Sequence, residues 1–106
     1  MGVTKSSLFS KEHVEMANMA KAISHPARIA ILEYLLKKGE CVCGDIVDEL
    51  PLSQSTVSQH LKAMKEAGII KGDIDGVYRC YCVNTQACQS LMTRIRQLFK
   101  GGSGCC

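Results

Sequence analysis

Along most of the chain, apolar positions recur at a spacing near 3.6, the helical period. One stretch switches to a spacing of two. Residues 11–23, KEHVEMANMAKAI, place Val14, Met16, Met19, Ala20 and Ile23 at helical spacing and predict a first helix. Ser24-His25-Pro26 breaks it. Pro26 has no N–H to leave unsatisfied, so it suits the first turn of a second helix, PARIAILEYLLKKG, with Ile29, Leu32, Leu35 and Leu36 as its expected apolar stripe and Gly39 as its end. GDIVDEL, residues 44–50, predicts a short helix burying Ile46, Val47 and Leu50, stopped by Pro51. LSQSTVSQHLKAMKEAGII then opens on Ser53, a good N-cap, and carries one narrow apolar face of Val57, Leu61 and Met64 before Gly68 closes it. In GIIKGDIDGVYRCYCVN the period falls to two, and Asp75-Gly76 marks a hairpin turn. A last helix over about 84–99 aligns Cys88, Leu91, Met92, Ile95 and Leu98. The final KGGSGCC is flexible in composition.

The order is helix, helix, short helix, helix, hairpin, helix. Two helices joined by a tight turn and followed by a β-hairpin describe a mainly α fold with a hairpin, the winged helix-turn-helix. The expected organisation is one such domain over residues 1–100 and a cysteine-containing tail over 101–106. The stripe of the last helix is too apolar for solvent, which predicts a homodimer built by the first and last helices. Met16, Met19 and Met92 read as packing in that interface.

On a helical wheel with Val57 inward, Ser55, Gln59 and Lys62 lie on the far side, Ser58 on the flank and Gln54 at the N-terminal end. A solvated surface helix usually carries Glu/Lys pairs, whereas this one carries short hydroxyls and amides, Thr56 among them. Gln bonds bidentately to adenine and Ser donates or accepts, so the face suits base edges. The helix N-terminus and its hydroxyls suit phosphates. On the hairpin, whose tip is acidic, Arg79 is the candidate DNA contact. The expected interface is therefore Gln54, Ser55, Thr56, Ser58, Gln59, Lys62 and Arg79.

Charge agrees with this without demanding it: 13 Lys and Arg against 10 Asp and Glu give a net +3. The absence of Trp and an aromatic content of 5% argue against a stacking platform for single strands. No apolar run reaches the roughly 18 residues that span a bilayer, and MGVTKSSLFSKEH lacks a secretory signal, so a cytoplasmic protein with no membrane partner is expected.

Seven cysteines are many for 106 residues, and the odd number leaves one over in any closed disulfide framework. Cys41 and Cys43 in ECVCGD are the leading metal ligands. From within a regular helix two such residues point about 200° apart and cannot share an ion, so they belong at a helix entrance, where the helix N-terminus lowers thiol pKa values. Soft thiolates select thiophiles. An ion that takes three thiolates needs one more, and Cys105 and Cys106 on the Gly-Ser tether are its expected source. Cys80 and Cys82 share a face of one strand and Cys88 lies on an apolar stripe, so these three read as core or sheet positions. His13, His25 and His60 read as structural or surface groups.

MAKAISHPARIAILEYLL, ECVC, LSQSTVSQHLKAMKEAGII and GVYRCYCVN together resemble the ArsR/SmtB family of metal-responsive winged-helix repressors, over residues 14–99. CVC ahead of the recognition unit is similar to the arsenic-sensing branch. The resemblance implies a homodimer on a palindromic double-stranded operator, released when an inducer binds, with residues matching Gln54, Ser55, Ser58 and Gln59 facing the DNA. It implies As(III) or Sb(III) as inducer and no constitutive cofactor. The chain departs from the arsenic-sensing pattern where a third cysteine is expected, since that place holds Ile46 or Val47. The zinc-sensing branch uses Asp and His on the last helix, and NTQACQSLMTRIRQL has none. Cadmium, lead or a reactive sulfur species are the alternative inducers. A thiol oxidoreductase favours Cys-X-X-Cys in a βαβ setting, which is missing here, and a metal buffer leaves the SQSTVSQHLK face without a purpose.

Overall fold

A computed structural model describes residues 8–39, 42–43, 50–73 and 80–101. Its elements are α1 (Lys11–Ala22), α2 (Pro26–Lys38), β1 (Val42–Cys43), α3 (Gln54–Glu66), β2 (Ile70–Asp73), β3 (Cys80–Val83) and α4 (Thr85–Lys100). This is the expected winged helix-turn-helix, with one strand more than the sequence pattern announces. The short helix expected over 44–50 lies outside the described residues, apart from Leu50, which packs on the core.

Each helix starts on a side-chain cap. Ser10 Oγ accepts from the His13 N–H at 3.1 Å, His25 Nδ1 from Ala27 at 2.9 Å, Ser53 Oγ from Thr56 at 3.3 Å and Asn84 Oδ1 from Ala87 at 3.2 Å. These bonds satisfy N–H groups that have no partner within the helix. At the other end of α2, Gly39 adopts φ 75° and returns its N–H to the Leu35 carbonyl.

The core gathers Ala22, Ile31, Leu35, Val57, Leu61, Met64, Ile69, Ile70 and Tyr81. On α2 the expected stripe is corrected. Ile31 and Leu35 face inward with Leu32 beside them, while Ile29 and Leu36 are more than half exposed. The latter two sit roughly 140–160° round the helix from Ile31, at about 100° per residue. Apolar residues cover so much of this helix that spacing alone does not select its buried side.

α3 ends in a turn that sets up the sheet. The Gly68 N–H bonds the Lys65 carbonyl and the Ile69 N–H reaches back to that of Met64, both at 2.9 Å. Gly68 takes φ 83°, the left-handed conformation this closure requires. The chain emerges with Ile69 and Ile70 fully buried and enters β2.

The sheet has the order β1-β3-β2, with antiparallel pairs throughout. β2 and β3 form the wing hairpin, and its tip over 74–79 lies outside the described residues. β1 pairs Val42 with Tyr81 and Cys43 with Cys80. Gly72 lies opposite Tyr81 with φ 126°, where a Cβ would collide with the Cys80 carbonyl oxygen and lie 2.7 Å from Tyr81 Cα. Only glycine allows β2 and β3 to meet here. α4 returns across α1, with Arg94 3.5 Å from Glu15 and Leu91 buried.

A polar cluster joins three helices at the middle of α3. Arg28 Nε donates to His60 Nδ1 at 3.0 Å, and Arg28 Nη1 donates to the Ala22 carbonyl at 3.2 Å. The His25 and His60 rings lie 4.5 Å apart. Burial holds the His60 pKa below its ordinary value of 6.5, helped by the neighbouring charges of His25 and Arg28. A proton on Nδ1 removes the lone pair that Arg28 uses. The unfolded chain therefore protonates His60 first as pH falls, so the stability contributed by the neutral ring is present above 6.5 and lost as pH drops toward the lower folded value. Melting followed by circular dichroism between about pH 7.5 and about pH 5.5 should show a falling midpoint. His60→Gln should flatten that dependence, and an unchanged slope in the variant would assign the fall to other groups.

Candidate nucleic-acid interface

α3 owes its orientation to three side chains. Val57, Leu61 and Met64 are each at most 4% exposed, and with them turned inward the opposite face must point to solvent. Ser55, Gln59 and Lys62 are exposed there, Gln54 is exposed at the N-terminal end of the helix, and Thr56 and Ser58 are half-buried at the margins. These are the six α3 residues that sequence reasoning selects. The helix carries no acid before Glu66, so no carboxylate opposes a phosphate backbone along this face.

The N-terminus of α3 is a cluster of hydroxyls. Ser53 Oγ lies 2.9 Å from Thr56 Oγ1 and 3.3 Å from Ser55 Oγ, besides accepting the Thr56 N–H. Thr56 is thus engaged in the cap, while Ser55 stands at the exposed edge. Exposed hydroxyls at the positive end of a helix dipole favour an anion such as a DNA phosphate. Arg79, the expected wing contact, lies outside the described residues.

His60 sits on α3 but is turned to Arg28 and His25. Sequence reasoning leaves it as a structural or surface group and misses its partner 32 positions away. The cluster anchors α3 at mid-length to the start of α2, so its exposed face is presented by a helix held from two sides.

The candidate thiols divide. Cys41, Cys105 and Cys106 lie outside the described residues, and Cys43 is described by its backbone in β1. Cys43 is strand backbone, because β3 offers its edge as a pairing partner, and the helix expected to start just after it lies outside the described residues. Cys88 is a core position as expected: it packs on the buried cluster, its Sγ lies 3.9 Å from the Ile69 carbonyl, and burial raises its pKa. Cys80 and Cys82 are on the sheet as expected, but Cys80 is also disulfide-bonded, while Cys82 and Cys88 lie outside any disulfide. Among the described residues no group of three or more His, Cys, Asp or Glu is gathered to hold a metal ion, and no helix is long and apolar enough to cross a membrane.

Residues 25–71, from the His25 cap through α3 into β2, match the family described as bacterial regulatory protein, arsR family. The transcriptional repressor SdpR of Bacillus subtilis (strain 168) is 39% identical over 74 residues, 70% of this chain and 81% of that protein. The arsenical resistance operon repressor of the same organism is 30% identical over 110 aligned positions, covering both chains in full. The solved structure of HlyU from Vibrio cholerae N16961 superposes with a TM-score of 0.65 at 23% identity, covering 86% of this chain and 98% of that one, and so shares its fold. Fold, matched segment and full-length similarity agree: the chain belongs to the ArsR family of bacterial regulatory proteins, which are transcriptional regulators and not enzymes.

Proposed function

We propose that this protein is a cytoplasmic repressor that binds a palindromic duplex operator as a homodimer and leaves it when trivalent arsenic or antimony binds its cysteine thiolates. The observation that carries the DNA-binding part is the exposed, acid-free face of amides and hydroxyls on α3, fixed outward by Val57, Leu61 and Met64. Gln59 reads a base edge, Lys62 meets phosphate, and Ser55 with the α3 N-terminus positions the helix on the backbone. Arg79 adds a contact from the wing.

The dimer is supported by what α4 leaves uncovered. Met92, Leu98 and Phe99 are 57, 62 and 73% exposed, and Leu8 and Phe9 lie exposed just before α1. Large apolar side chains grouped on the terminal helices call for cover, and a second copy also sets two recognition helices at two half-sites one DNA turn apart.

For the inducer, Cys41 and Cys43 supply two thiolates and the tail cysteines Cys105 and Cys106 are the source of a third. Full-length similarity to an arsenical resistance operon repressor supports arsenic as the thiophile. The zinc pattern of Asp and His has no counterpart on α4, whose sequence contains neither. Switching from mostly bound to mostly released takes about 5.5 kcal/mol of differential affinity, which favours three sulfur bonds over two.

Gln59→Ala should weaken operator binding by about 1–3 kcal/mol and relax base preference at one position. Lys62→Ala should weaken all duplexes alike and lower the salt slope by about one. Anisotropy titrations over several salt concentrations separate the two, and full affinity in the Gln59 variant would move the reading face elsewhere. Sedimentation at micromolar concentration should give a dimer, and replacing Leu98 and Phe99 together with Ser should shift it toward monomer and cost operator affinity. Cys41→Ser should bind the operator normally and fail to release with arsenite, in a release assay run beside cadmium and lead. Deleting Cys105 and Cys106 should weaken the arsenite response without changing DNA affinity.

A further inference from the structure

The sulfurs are the chemistry that DNA reading leaves over, and two observations point to a pair among the residues that carry them. The first is register. β1 is only two residues long, its neighbour in the sheet is β3, and the pairing sets Cys43 against Cys80. Directly opposed residues of an antiparallel pair have Cα atoms about 4.5–5.5 Å apart, inside the roughly 4.4–6.8 Å that disulfides span. The second is the state of Cys80, which is disulfide-bonded while Cys82, on the same strand, is not. On its other side Cys80 faces Asp73 of β2, which offers no sulfur.

We propose that Cys43 and Cys80 form a cross-strand dithiol–disulfide couple, which when oxidised fastens the wing to the entrance of the recognition unit and withdraws Cys43 from the inducer site. The second half rests on the inducer reading above, and the first half does not. β1 falls in the chain between α2 and the segment leading to α3, so a bond from Cys43 to β3 ties that connection to the wing. Gly72 presses β2 against the Cys80 carbonyl, which holds the Cys80 backbone in one place while its sulfur reacts.

The redox step is a two-electron oxidation by a hydroperoxide. One thiolate attacks the outer peroxide oxygen, the O–O bond breaks, and a sulfenic acid and one water result. The second thiol attacks that sulfur, the S–S bond forms and a second water leaves. Two thiols and one hydrogen peroxide thus give one disulfide and two waters. A dithiol reductant reverses the step through a mixed disulfide, becoming a disulfide itself. Reducing compartments keep such a pair open by default and make its closure transient, as a signal requires. Oxidation removes one of the thiolates that hold arsenic, so the closed form stays on its operator in the presence of arsenite.

The test uses the full chain, reduced, then treated with hydrogen peroxide, alkylated and digested with trypsin without reductant. Cleavage after Lys38, Lys62, Arg79 and Arg94 places Cys41 and Cys43 in one peptide and Cys80, Cys82 and Cys88 in another. The expected product is these two peptides cross-linked, with fragment ions locating the bond at Cys43 and Cys80. Cys80→Ser should lose it while keeping operator affinity and, under reductant, the arsenite response. Peroxide should lower the arsenite sensitivity of the wild type by about tenfold or more and leave that of Cys80→Ser unchanged. A Cys80 that stays open to alkylation after peroxide, or bonds to a cysteine other than Cys43, overturns the couple. If the bond forms as stated and the oxidised protein still releases with arsenite, the couple stands, and the gating falls with the placement of the inducer on Cys43.

Discussion

The burial of Val57, Leu61 and Met64 along one seam of α3 is the constraint on which the rest depends. A helix with a broad apolar face can roll by a turn's fraction and remain buried. This one cannot, because its apolar positions form a narrow stripe and everything flanking it is polar. Rolling α3 would expose a methionine that is now fully enclosed and bury glutamine or lysine without partners. The same three residues that complete the core therefore aim Gln59 and Lys62 outward. Folding and recognition are decided by one rotation angle.

A second restraint acts along the axis. The Arg28 guanidinium spans from the end of α1 to the middle of α3, with His25 at once capping α2 and lying against His60. The bond uses the neutral form of His60, which burial favours first and the neighbouring His25 and Arg28 favour further. A neutral histidine is what a fixed strut between helices needs.

Most of the architecture was legible in the sequence because its signals are local. Ser53 as a cap, the narrow stripe behind it, Gly39 and Gly68 as stops and the change of period into the hairpin all act within a few residues. The α3 face followed directly, since a wheel needs only the helix and one buried anchor. What was not legible depends on partners distant in the chain. β1 is too short to have a period and exists because β3 offers it hydrogen bonds. The buried side of α2 is chosen by what lies against it, and its own pattern is apolar over too wide an arc to decide. Arg28 and His60 meet across 32 positions with no motif to link them. CVC and CYC are both visible as strings, but the rung that sets Cys43 against Cys80 is a property of the ladder.

The Ile69 carbonyl, at the exit of α3, accepts the Asn84 N–H at 2.8 Å, and Asn84 is itself the cap of α4. One peptide group therefore joins the end of the reading helix to the beginning of the helix that, in the proposed dimer, meets the other subunit. There is no slack in that path: a buried isoleucine backbone on one side, a capping asparagine on the other. In the proposed dimer that path acts as a fixed-gauge caliper: the spacing of its two tips follows from the fold, and one extra base pair between half-sites would turn the second by about a tenth of a revolution. For a device of this kind the spacing of an operator is as much a part of its identity as the bases it presents.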